Sequence, residues 1–333
     1  MRIIVDAFGG DNAPVDIIKG SADAIKEFGV DITLTGDETT IKKVCEEQKI
    51  DASQFTIVHA DSVISQNEAG SEIMKSKKDC SMAVGLQLLA SGEGDAFISA
   101  GNSGAVCVGA TLIVKRIKGI SRPGFAPVIP GVKGRFMLMD SGANLQCRPE
   151  MLRQFGIMGS IYMNKVLGVE NPRVGLANVG TEEHKGTEIQ QEAYALLQNA
   201  PVNFIGNIEG RDIPNDACDV LVCDGFTGNL ILKTYEGVAI ALMKKIKGVF
   251  KKNIKNIFAA LLVKGDIKEL KKQFDYSEHG GAPILGVKKP VFKAHGNADA
   301  VTFKNAIKLT IQYVERNVIG EISDALAKIK TED

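Results

Sequence analysis

The sequence predicts an α/β fold in which a mostly parallel sheet is covered by helices on both faces. Short β-branched apolar runs alternate with segments of helical periodicity from the first residues onward. The 35 glycines exceed the roughly 23 that average usage of about 7% would give. Parallel neighbours need a crossover connection, usually a helix, and the alternating segments supply it. We expect one α/β domain over residues 1–333, carrying an inserted helical hairpin at residues 238–277.

Individual strands and helices are predicted from the length and periodicity of each apolar run. The strand candidates are Arg2–Asp6, Ile32–Thr35, Phe55–His59, Ala96–Ser99, Phe136–Asp140, Arg173–Ala177, Asn203–Ile205 and Val220–Cys223. The helix candidates are Pro14–Phe28, Ile41–Gln48, Met82–Ala90, Gly104–Ile117, Met151–Val166 and Thr187–Leu197. No internal repeat or low-complexity linker separates them, and the composition changes strongly only at about Met243.

The overall composition excludes several classes of protein. Hydrophobic residues make up 44% and charged residues 24%, which excludes disorder and fibrous repeats. The 40 basic residues equal the 40 acidic ones, which argues against a nucleic-acid binder. No apolar run approaches the roughly 20 residues that a bilayer span needs, and no signal peptide precedes the first strand. The six cysteines are scattered without a CxxC pair, which predicts reduced thiols in the cytoplasm.

Five loops rich in glycine, asparagine and aspartate directly follow predicted strands. They are Asp6–Asn12, Ile98–Gly104, Met139–Asn144, Ala177–Glu182 and Cys223–Asn229. Any one of them is explained by ordinary turn chemistry. Five loops of the same kind, however, are expected to converge at the carboxyl edge of a parallel sheet, where α/β proteins bind ligands. Their amides, together with the free N–H groups that begin the following helices, favour an anion of phosphate or carboxylate size.

Two basic side chains are placed to assist this anion site. Lys185 follows the fourth loop at the start of a helix, where it either neutralises a bound phosphate or is an exposed helix-start lysine. His295 lies in a polar turn after an apolar strand and either donates to an anion or stabilises its turn. No GxGxxG, P-loop, GxSxG or zinc-site spacing occurs, so neither a cofactor nor a metal is expected.

A strongly basic segment follows the last of these strands. Between Lys244 and Asp275 there are ten lysines and three acidic residues, a local excess of seven positive charges. Apolar residues from Ile246 to Leu262 recur at helical spacing, and Lys264-Gly265-Asp266 is a plausible turn into a second helix that carries Ile267, Leu270 and Phe274. The pair is a packed hairpin, a membrane-surface element or a dock for an acidic protein.

Several long strings resemble those of bacterial phosphate acyltransferases over nearly the whole chain. The strings are VDAFGGDNAP, ISAGNSGA, RIKGISRP, DSGAN, RVGLANVGTEEHKG, GNIEGRDIP, VCDGFTGN, YSEHGGAPILG and KAHGNADA. Residues 66–76 depart from the family pattern, which usually has an acidic-proline stretch followed by arginine there.

The resemblance implies a Rossmann-like three-layer sandwich similar to phosphate acetyltransferases and isopropylmalate dehydrogenase-like enzymes. It implies a homodimer, attached peripherally to an anionic membrane surface through Phe258, Leu261, Leu262 and Val263. The expected reaction transfers a fatty acyl group from acyl-[acyl carrier protein] to inorganic phosphate in phospholipid synthesis. The alternatives are a phosphate acetyltransferase that uses acyl-coenzyme A, a decarboxylating dehydrogenase, and a non-enzymatic membrane scaffold.

We assign the phosphate site to two of the glycine loops and one counter-charge. The predicted phosphate-binding residues are Gly9, Gly10, Gly101, Asn102, Ser103, Gly104, Lys185, Thr227, Gly228, Asn229 and His295. Among them Lys185, Asn102 and Asn229 are the predicted catalytic residues, and Asp6 completes the wall of the pocket. Phosphate arrives largely ionised near neutral pH, so direct attack on the thioester needs no strong general base and no acyl-enzyme.

Overall fold

The computed structural model describes residues 1–267 and 280–329, which form two β-sheets flanked by helices. The first sheet has seven strands in the order β3-β2-β1-β4-β12-β11-β5, and the second has five in the order β6-β7-β10-β8-β9. In the first sheet the strands are β1 (Arg2–Asp6), β2 (Asp31–Gly36), β3 (Phe55–His59), β4 (Ala96–Ser99), β5 (Gly124–Phe125), β11 (Gly281–Leu285) and β12 (Val291–Ala294). In the second they are β6 (Val128–Pro130), β7 (Arg135–Met139), β8 (Arg173–Asn178), β9 (Asn203–Glu209) and β10 (Val220–Val222).

The helices alternate with the strands as the sequence predicts. They are α1 (Val15–Phe28), α2 (Glu38–Glu47), α3 (Ser81–Ser91), α4 (Ser103–Gly109), α5 (Pro149–Lys165), α6 (Glu188–Gln198), α7 (Gly225–Phe250), α8 (Ile254–Leu262), α9 (Ala300–Glu315) and α10 (Val318–Ile329). Helix α4 continues into a wider helical turn over Ala110–Val114. The central strands are buried on both faces, as expected when helices cover a parallel sheet on both sides.

The predicted single sheet is wrong in one respect, because the parallel strands are divided between two sheets. The chain passes from one sheet to the other between β5 and β6. Strand β5 is antiparallel to β11, which is antiparallel to β12, so β5 runs in the direction of β12 and β4. Strand β7 then runs antiparallel to β6. Strand β10 lies between β7 and β8 and is parallel to both. The carboxyl ends of the parallel strands in both sheets therefore point toward the junction between them.

Contacts at this junction tie the two sheets together. The Phe125 N–H of β5 donates to the Asp140 carboxylate at 2.9 Å, and the Ser141 N–H donates to the Phe125 carbonyl at 3.0 Å. Asp140 follows β7 directly, so the end of one sheet is bonded to the edge strand of the other. The loops that follow β5 and β7 thus lie next to each other.

The basic hairpin differs from the prediction. Residues 264–267 are helical, so the predicted turn at Lys264-Gly265-Asp266 is wrong. The first helix is broken earlier, between Phe250 and Ile254, where the Asn253 side chain accepts from the Asn256 N–H at 2.9 Å and begins α8. An Asn cap satisfies a free N–H of a new helix, which explains why the break occurs there. Leu270 and Phe274 of the predicted second helix lie outside the described residues.

Candidate active site

The loops that follow β1, β4 and β12 pack against one another at the carboxyl edge of the first sheet. A Cβ atom on Gly9 would lie 2.6 Å from the Gly101 backbone nitrogen, and one on Gly10 would lie 2.9 Å from the Gly296 carbonyl oxygen. The Asp11 N–H donates to the same Gly296 oxygen at 2.7 Å. Glycine is needed at positions 9 and 10 because any side chain would push these loops apart. The structure thus brings three predicted site loops together.

Asp6 anchors this group of loops from below. Its carboxylate is buried and accepts hydrogen bonds from the hydroxyls of Ser81 and Ser99, both at 2.6 Å, and from the Phe8 N–H at 3.2 Å. Burial raises the pKa of Asp6, while the hydroxyls oppose this effect. The Ser99 hydroxyl also accepts from the Gly101 N–H at 2.9 Å. Asp6 therefore fixes the turn that follows β4 rather than facing a ligand.

Asn102 holds a neighbouring segment in place. Its side-chain oxygen accepts from the Ala105 N–H at 3.0 Å and begins α4. Its amide nitrogen donates to the carbonyls of Ser65 at 2.9 Å and Glu68 at 2.8 Å, with a longer contact to Gln66 at 3.3 Å. Asn102 is buried, and these partners occupy its side chain. The segment it holds overlaps residues 66–76, which depart from the family pattern.

A cleft of about 360 Å³ opens above these loops, between the two sheets. We call it the catalytic cleft because we propose below that the reaction takes place there. Ser103, Lys293 and His295 supply polar side chains from the edge of the first sheet, and Gln66 adds an amide from the segment held by Asn102. An apolar wall faces them. It is formed by Phe125, Pro127, Val128 and Leu232, whereas Ala282 lines the cleft beside Lys293 on the neighbouring strand. The cleft therefore combines cationic and polar groups with an apolar surface, and the carboxylates of Asp11 and Glu236 also line it.

Lys293 is the buried cation of this cleft. Its side chain lies on β12 at 7% relative exposure, and its Nζ donates to the carbonyl oxygens of Ala100, at 3.1 Å, and Ala294. Within the described residues no carboxylate lies within ion-pair distance of it. Burial lowers the pKa of Lys293 to about 8. Asp11 and Asp6 favour its charged form from beyond ion-pair distance. A buried ammonium that has no direct ion pair and lines a cleft is suited to bind an anion.

Lys293 is absent from the residues that the sequence singled out, although its neighbour His295 is among them. The signal was present, because a lysine interrupts the apolar run Val291–Ala294. A lone lysine in a strand ordinarily faces solvent, and only the packing around β12 shows that this one is enclosed. The His295 side chain also lines the cleft, where its Nδ1 contacts the Asn297 side-chain oxygen.

The remaining predicted residues lie at the carboxyl edge of the second sheet. Asp224 begins α7 and accepts from the Thr227 N–H at 2.8 Å and the Thr227 hydroxyl at 2.9 Å. Gly228 packs against Asp140, whose carbonyl oxygen a Cβ atom at position 228 would overlap. Asn229 is exposed beside Gly142.

A more open cleft of about 1180 Å³, which we call the second cleft, lies at this edge of the second sheet. Its lining includes Thr227, Asn144, Arg148, Gln190 and Phe226. Helix α7 borders both clefts, since Leu232, Lys233 and Glu236 one to three turns further along the helix line the catalytic cleft.

Lys185 lies beside Gly180 in the loop that follows β8. Its side chain is half-buried, its carbonyl accepts from the Asn178 side chain at 3.1 Å, and it lines neither of the two clefts. The expectation that all five loops share one sheet edge is wrong, because the loops divide between the two sheets. Gly9, Gly10, Gly101, Asn102, Ser103, Gly104 and His295 form one group, and Thr227, Gly228, Asn229 and Lys185 belong to the other sheet. The roles of these residues stay predictions.

Two other features bear on the chemistry. Within residues 1–267 and 280–329, no three His, Cys, Asp or Glu side chains are grouped closely enough to hold a metal ion. The cysteines of the described chain are not paired, and burial raises the thiol pKa of Cys107 and of Cys147 to about 12. Such thiols are poor nucleophiles near neutral pH.

Solved structures of low sequence identity share the fold. A phosphotransacetylase from Streptococcus pyogenes superimposes with a TM-score of 0.66 at 16% identity, covering 95% of this chain and 94% of that one. A branched-chain phosphotransacylase from Enterococcus faecalis superimposes with a TM-score of 0.57 at 13% identity, covering 94% and 99%. These similarities confirm the predicted α/β class with parallel sheets.

Sequence relatives are closer and span the whole chain. Residues 1–321 match the family described as "Fatty acid synthesis protein". A phosphate acyltransferase from Acetivibrio thermocellus is 46% identical over all of this chain and 98% of its own length. Another from Caldanaerobacter subterraneus is 47% identical over all of this chain and 97% of its own length, and one from Clostridioides difficile is 44% identical over 100% and 98%. The chain belongs to the phosphate acyltransferase family.

Proposed function

We propose that this chain transfers a fatty acyl group from acyl-[acyl carrier protein] to inorganic phosphate, giving an acyl phosphate for phospholipid synthesis. The observation that carries the proposal is the buried, unpaired Lys293 in the catalytic cleft of a chain that belongs to the phosphate acyltransferase family. A phosphate oxygen attacks the thioester carbonyl carbon, the C–O bond forms, the C–S bond breaks, and the thiolate leaves and takes up a proton.

In this proposal the phosphate binds at the polar side of the catalytic cleft. Lys293 supplies the positive charge, and the Ser103 hydroxyl supplies a neutral donor. A charge-assisted hydrogen bond is stronger when the donor is already desolvated, because water does not compete for it. Phosphate binding would also give the buried ammonium a direct ion pair, which no carboxylate of the described residues provides.

The acyl donor occupies the apolar wall across the cleft. Phe125, Pro127 and Leu232 present apolar surface opposite Lys293, so the chain next to the thioester carbonyl has a place to lie. Holding both reactants in one cleft replaces a collision in water by an oriented encounter, which contributes several kcal/mol to catalysis. His295 lies at the same edge as a second possible donor to the oxyanion that forms on the carbonyl.

Direct transfer is favoured over a cysteine acyl-enzyme. Cys223 directly follows β10 and is buried, and burial raises the pKa of its thiol well above the usual range. Burial raises the thiol pKa of Cys107 and of Cys147 in the same way. None of the three lines the catalytic cleft. The phosphate itself is therefore the best nucleophile at this site.

Peripheral membrane contact through α8 is part of the proposal. Ile254, Phe258, Leu261 and Leu262 of this helix are 63–84% exposed, Val263 is half-buried, and lysines at positions 251, 252 and 255 are exposed beside them. Apolar side chains flanked by lysines are typical of helices that lie in the headgroup region of anionic membranes. Across the part of the chain that the structure describes, no helix combines the length and apolarity that spanning a bilayer requires.

We also propose that the chain forms a homodimer. Helix α7 leaves Phe226, Leu230, Val238 and Leu242 more than half exposed along its length. A second copy of the chain would remove this surface from water, and twofold pairing of like surfaces is the commonest way that soluble proteins do so. Light scattering coupled to gel filtration tests this, and a monomer at micromolar concentration would contradict it.

The proposed reaction is tested with two donors and one acceptor. Purified protein is supplied with palmitoyl-[acyl carrier protein] or palmitoyl-coenzyme A and radiolabelled inorganic phosphate, and both thiol release and label in the lipid-soluble product are measured. We expect phosphate-dependent thiol release with the carrier-protein donor and an equal amount of labelled acyl phosphate. Activity with the coenzyme A thioester alone would favour the alternative enzyme, and thiol release independent of phosphate would refute acyl transfer to phosphate.

A further inference from the structure

Five exposed basic side chains surround a surface hollow near the junction of the two sheets. Arg116, Lys118, Arg148 and Lys288 line this hollow of about 590 Å³, and no acidic residue of the described chain lines it. Arg122 is exposed on the adjoining rim of the second cleft. We call these five residues the cationic patch. In a protein with equal numbers of acidic and basic residues, such a cluster does not follow from composition.

The charges of the cationic patch are not neutralised within the described chain. None of the five side chains forms an ion pair there, whereas Lys165 pairs with Glu321 at 2.7 Å and Lys304 with Glu27 at 2.6 Å. Like charges close together repel one another unless an external partner supplies the opposite charge. The positive charge of the patch is therefore available to an acidic partner.

The backbone that carries the patch is held in one conformation. The Ile117 N–H donates to the Gly286 carbonyl at 2.9 Å, and the Lys288 N–H donates to the Lys115 carbonyl at 2.8 Å. On the other side, the Gln154 side chain accepts from the Ser121 N–H at 2.8 Å and donates to the Gly119 carbonyl at 3.0 Å. Such bonds preorganise the loop, so a partner does not have to order it on binding.

The patch is continuous with the second cleft, because Arg148 lines both. At the rim of that cleft Leu145 and Phe226 are each 64% exposed. Unpaired cations next to exposed apolar side chains combine the two features of a protein-docking surface, electrostatic steering at the periphery and apolar contact beside it.

We propose that the cationic patch docks the acidic surface of the acyl carrier protein that delivers the acyl thioester. This inference rests on the proposed function, which requires a protein-bound donor to approach the junction between the sheets. A concave hollow fits a protuberance of a partner protein. A lipid surface, in contrast, is contacted best by a convex element such as α8, whose apolar side chains project outward.

The test reverses charge on the patch and on a matched surface. Arg116→Glu with Lys118→Glu changes two patch residues, and Lys42→Glu with Lys43→Glu makes the same change of charge on α2, at the opposite edge of the first sheet. We expect the patch variant to raise KM for palmitoyl-[acyl carrier protein] at least tenfold while kcat and KM for phosphate stay within twofold. The α2 variant is expected to match the wild type. Added salt should raise KM for palmitoyl-[acyl carrier protein] more in the wild type than in the patch variant, because salt screens the charges that the variant has lost.

Direct binding separates failure of docking from failure of the proposed function. Holo-acyl carrier protein is titrated against each variant by calorimetry, which needs no turnover, and thermal unfolding confirms that each variant is folded. If the double variant unfolds, Arg148→Gln replaces it, with an expected loss of binding of at least threefold. Unchanged binding in a folded patch variant overturns the docking proposal even if the enzyme is active. Lost binding to phosphatidylglycerol vesicles with unchanged carrier-protein binding also overturns it, since the patch would then contact lipid.

Discussion

Replacing Lys293 with methionine tests the anion site most directly. Methionine is similar in length and apolar, so the variant fills the same space and removes only the ammonium group. In the proposed complex, phosphate loses one buried charge-assisted hydrogen bond, worth about 2–3 kcal/mol. That loss corresponds to a decrease in kcat/KM for phosphate of roughly 30- to 150-fold. KM for the acyl donor is expected to stay nearly unchanged, because the ammonium faces the phosphate rather than the apolar wall.

The same substitution has a predictable effect on stability. The pKa of Lys293 is about 8 in the folded protein against a usual value of 10.5, so burial of the charged form costs roughly 3 kcal/mol below pH 8. This cost is fully present below the folded pKa and disappears as the pH rises toward 10.5, where the amine is neutral in both states. Methionine removes the cost but leaves the carbonyls of Ala100 and Ala294 without this donor, at about 1 kcal/mol each. A net gain of about 1 kcal/mol is expected at pH 7.

The assay is phosphate-dependent thiol release, measured from pH 6 to pH 9.5 over a range of phosphate concentrations. For the wild type, kcat/KM for phosphate should fall as the pH rises through about 8, because Lys293 loses its proton. The methionine variant should lack this decrease. Lys26→Met, at an exposed lysine of α1, is the control and should match the wild type. A Lys293→Met enzyme with wild-type phosphate kinetics would refute the assignment of the anion site to the catalytic cleft.

Three further predictions follow from other parts of the structure. The sequence-based assignment of Lys185 as a counter-charge predicts that Lys185→Ala raises KM for phosphate and lowers kcat without unfolding the protein; unchanged phosphate kinetics would agree with its position outside both clefts and remove it from the mechanism. Gly228→Ala should lower the free energy of unfolding by at least about 2 kcal/mol, because its methyl group overlaps the Asp140 carbonyl; a denaturant titration that shows no change would contradict this packing. Leu261→Glu with Leu262→Glu should abolish sedimentation with anionic vesicles while leaving activity on soluble donor intact, and wild-type sedimentation would refute membrane contact through α8.

The sequence predicted most strands of the fold because each is a short, mostly apolar run that alternates with a segment of helical periodicity. The runs Arg2–Asp6, Phe55–His59 and Ala96–Ser99 were predicted with the bounds that the structure has. Strands β5 and β6 are two and three residues long, too short for any periodicity to show. Strand β11 (Gly281–Leu285) contains glycine and proline, which ordinarily indicate a turn.

The division into two sheets was not predictable from alternation alone. Strand and helix follow each other in the same way whether successive strands join one sheet or two. What decides it is the short segment from β5 to β6, where the chain leaves one sheet and starts the other. This is also why the loops predicted to share one edge are divided between two.

Some individual site residues could be predicted from the sequence, and others could not. Gly9, Gly10 and Ser103 were predicted from their position after strands, and the structure places them together around the catalytic cleft or in its supporting loops. The bonds of Asn102 depend on a segment more than thirty residues away in sequence, which no local pattern reveals. Lys293 was missed because burial, not residue type, distinguishes it from an ordinary surface lysine.

Helix α7 sets the distance between the proposed site of reaction and the proposed membrane contact. The helix passes the catalytic cleft at Glu236 and ends at Phe250, immediately before the apolar residues of α8. At 1.5 Å per residue these fourteen residues span about 21 Å. An acyl phosphate formed beside Glu236 would thus begin about two nanometres from the lipid surface, a distance comparable to the length of an extended long-chain acyl group. With the proposed membrane contact, the hydrocarbon tail would enter the membrane while the enzyme still holds the reactive phosphate end, which would shield the anhydride from hydrolysis during transfer.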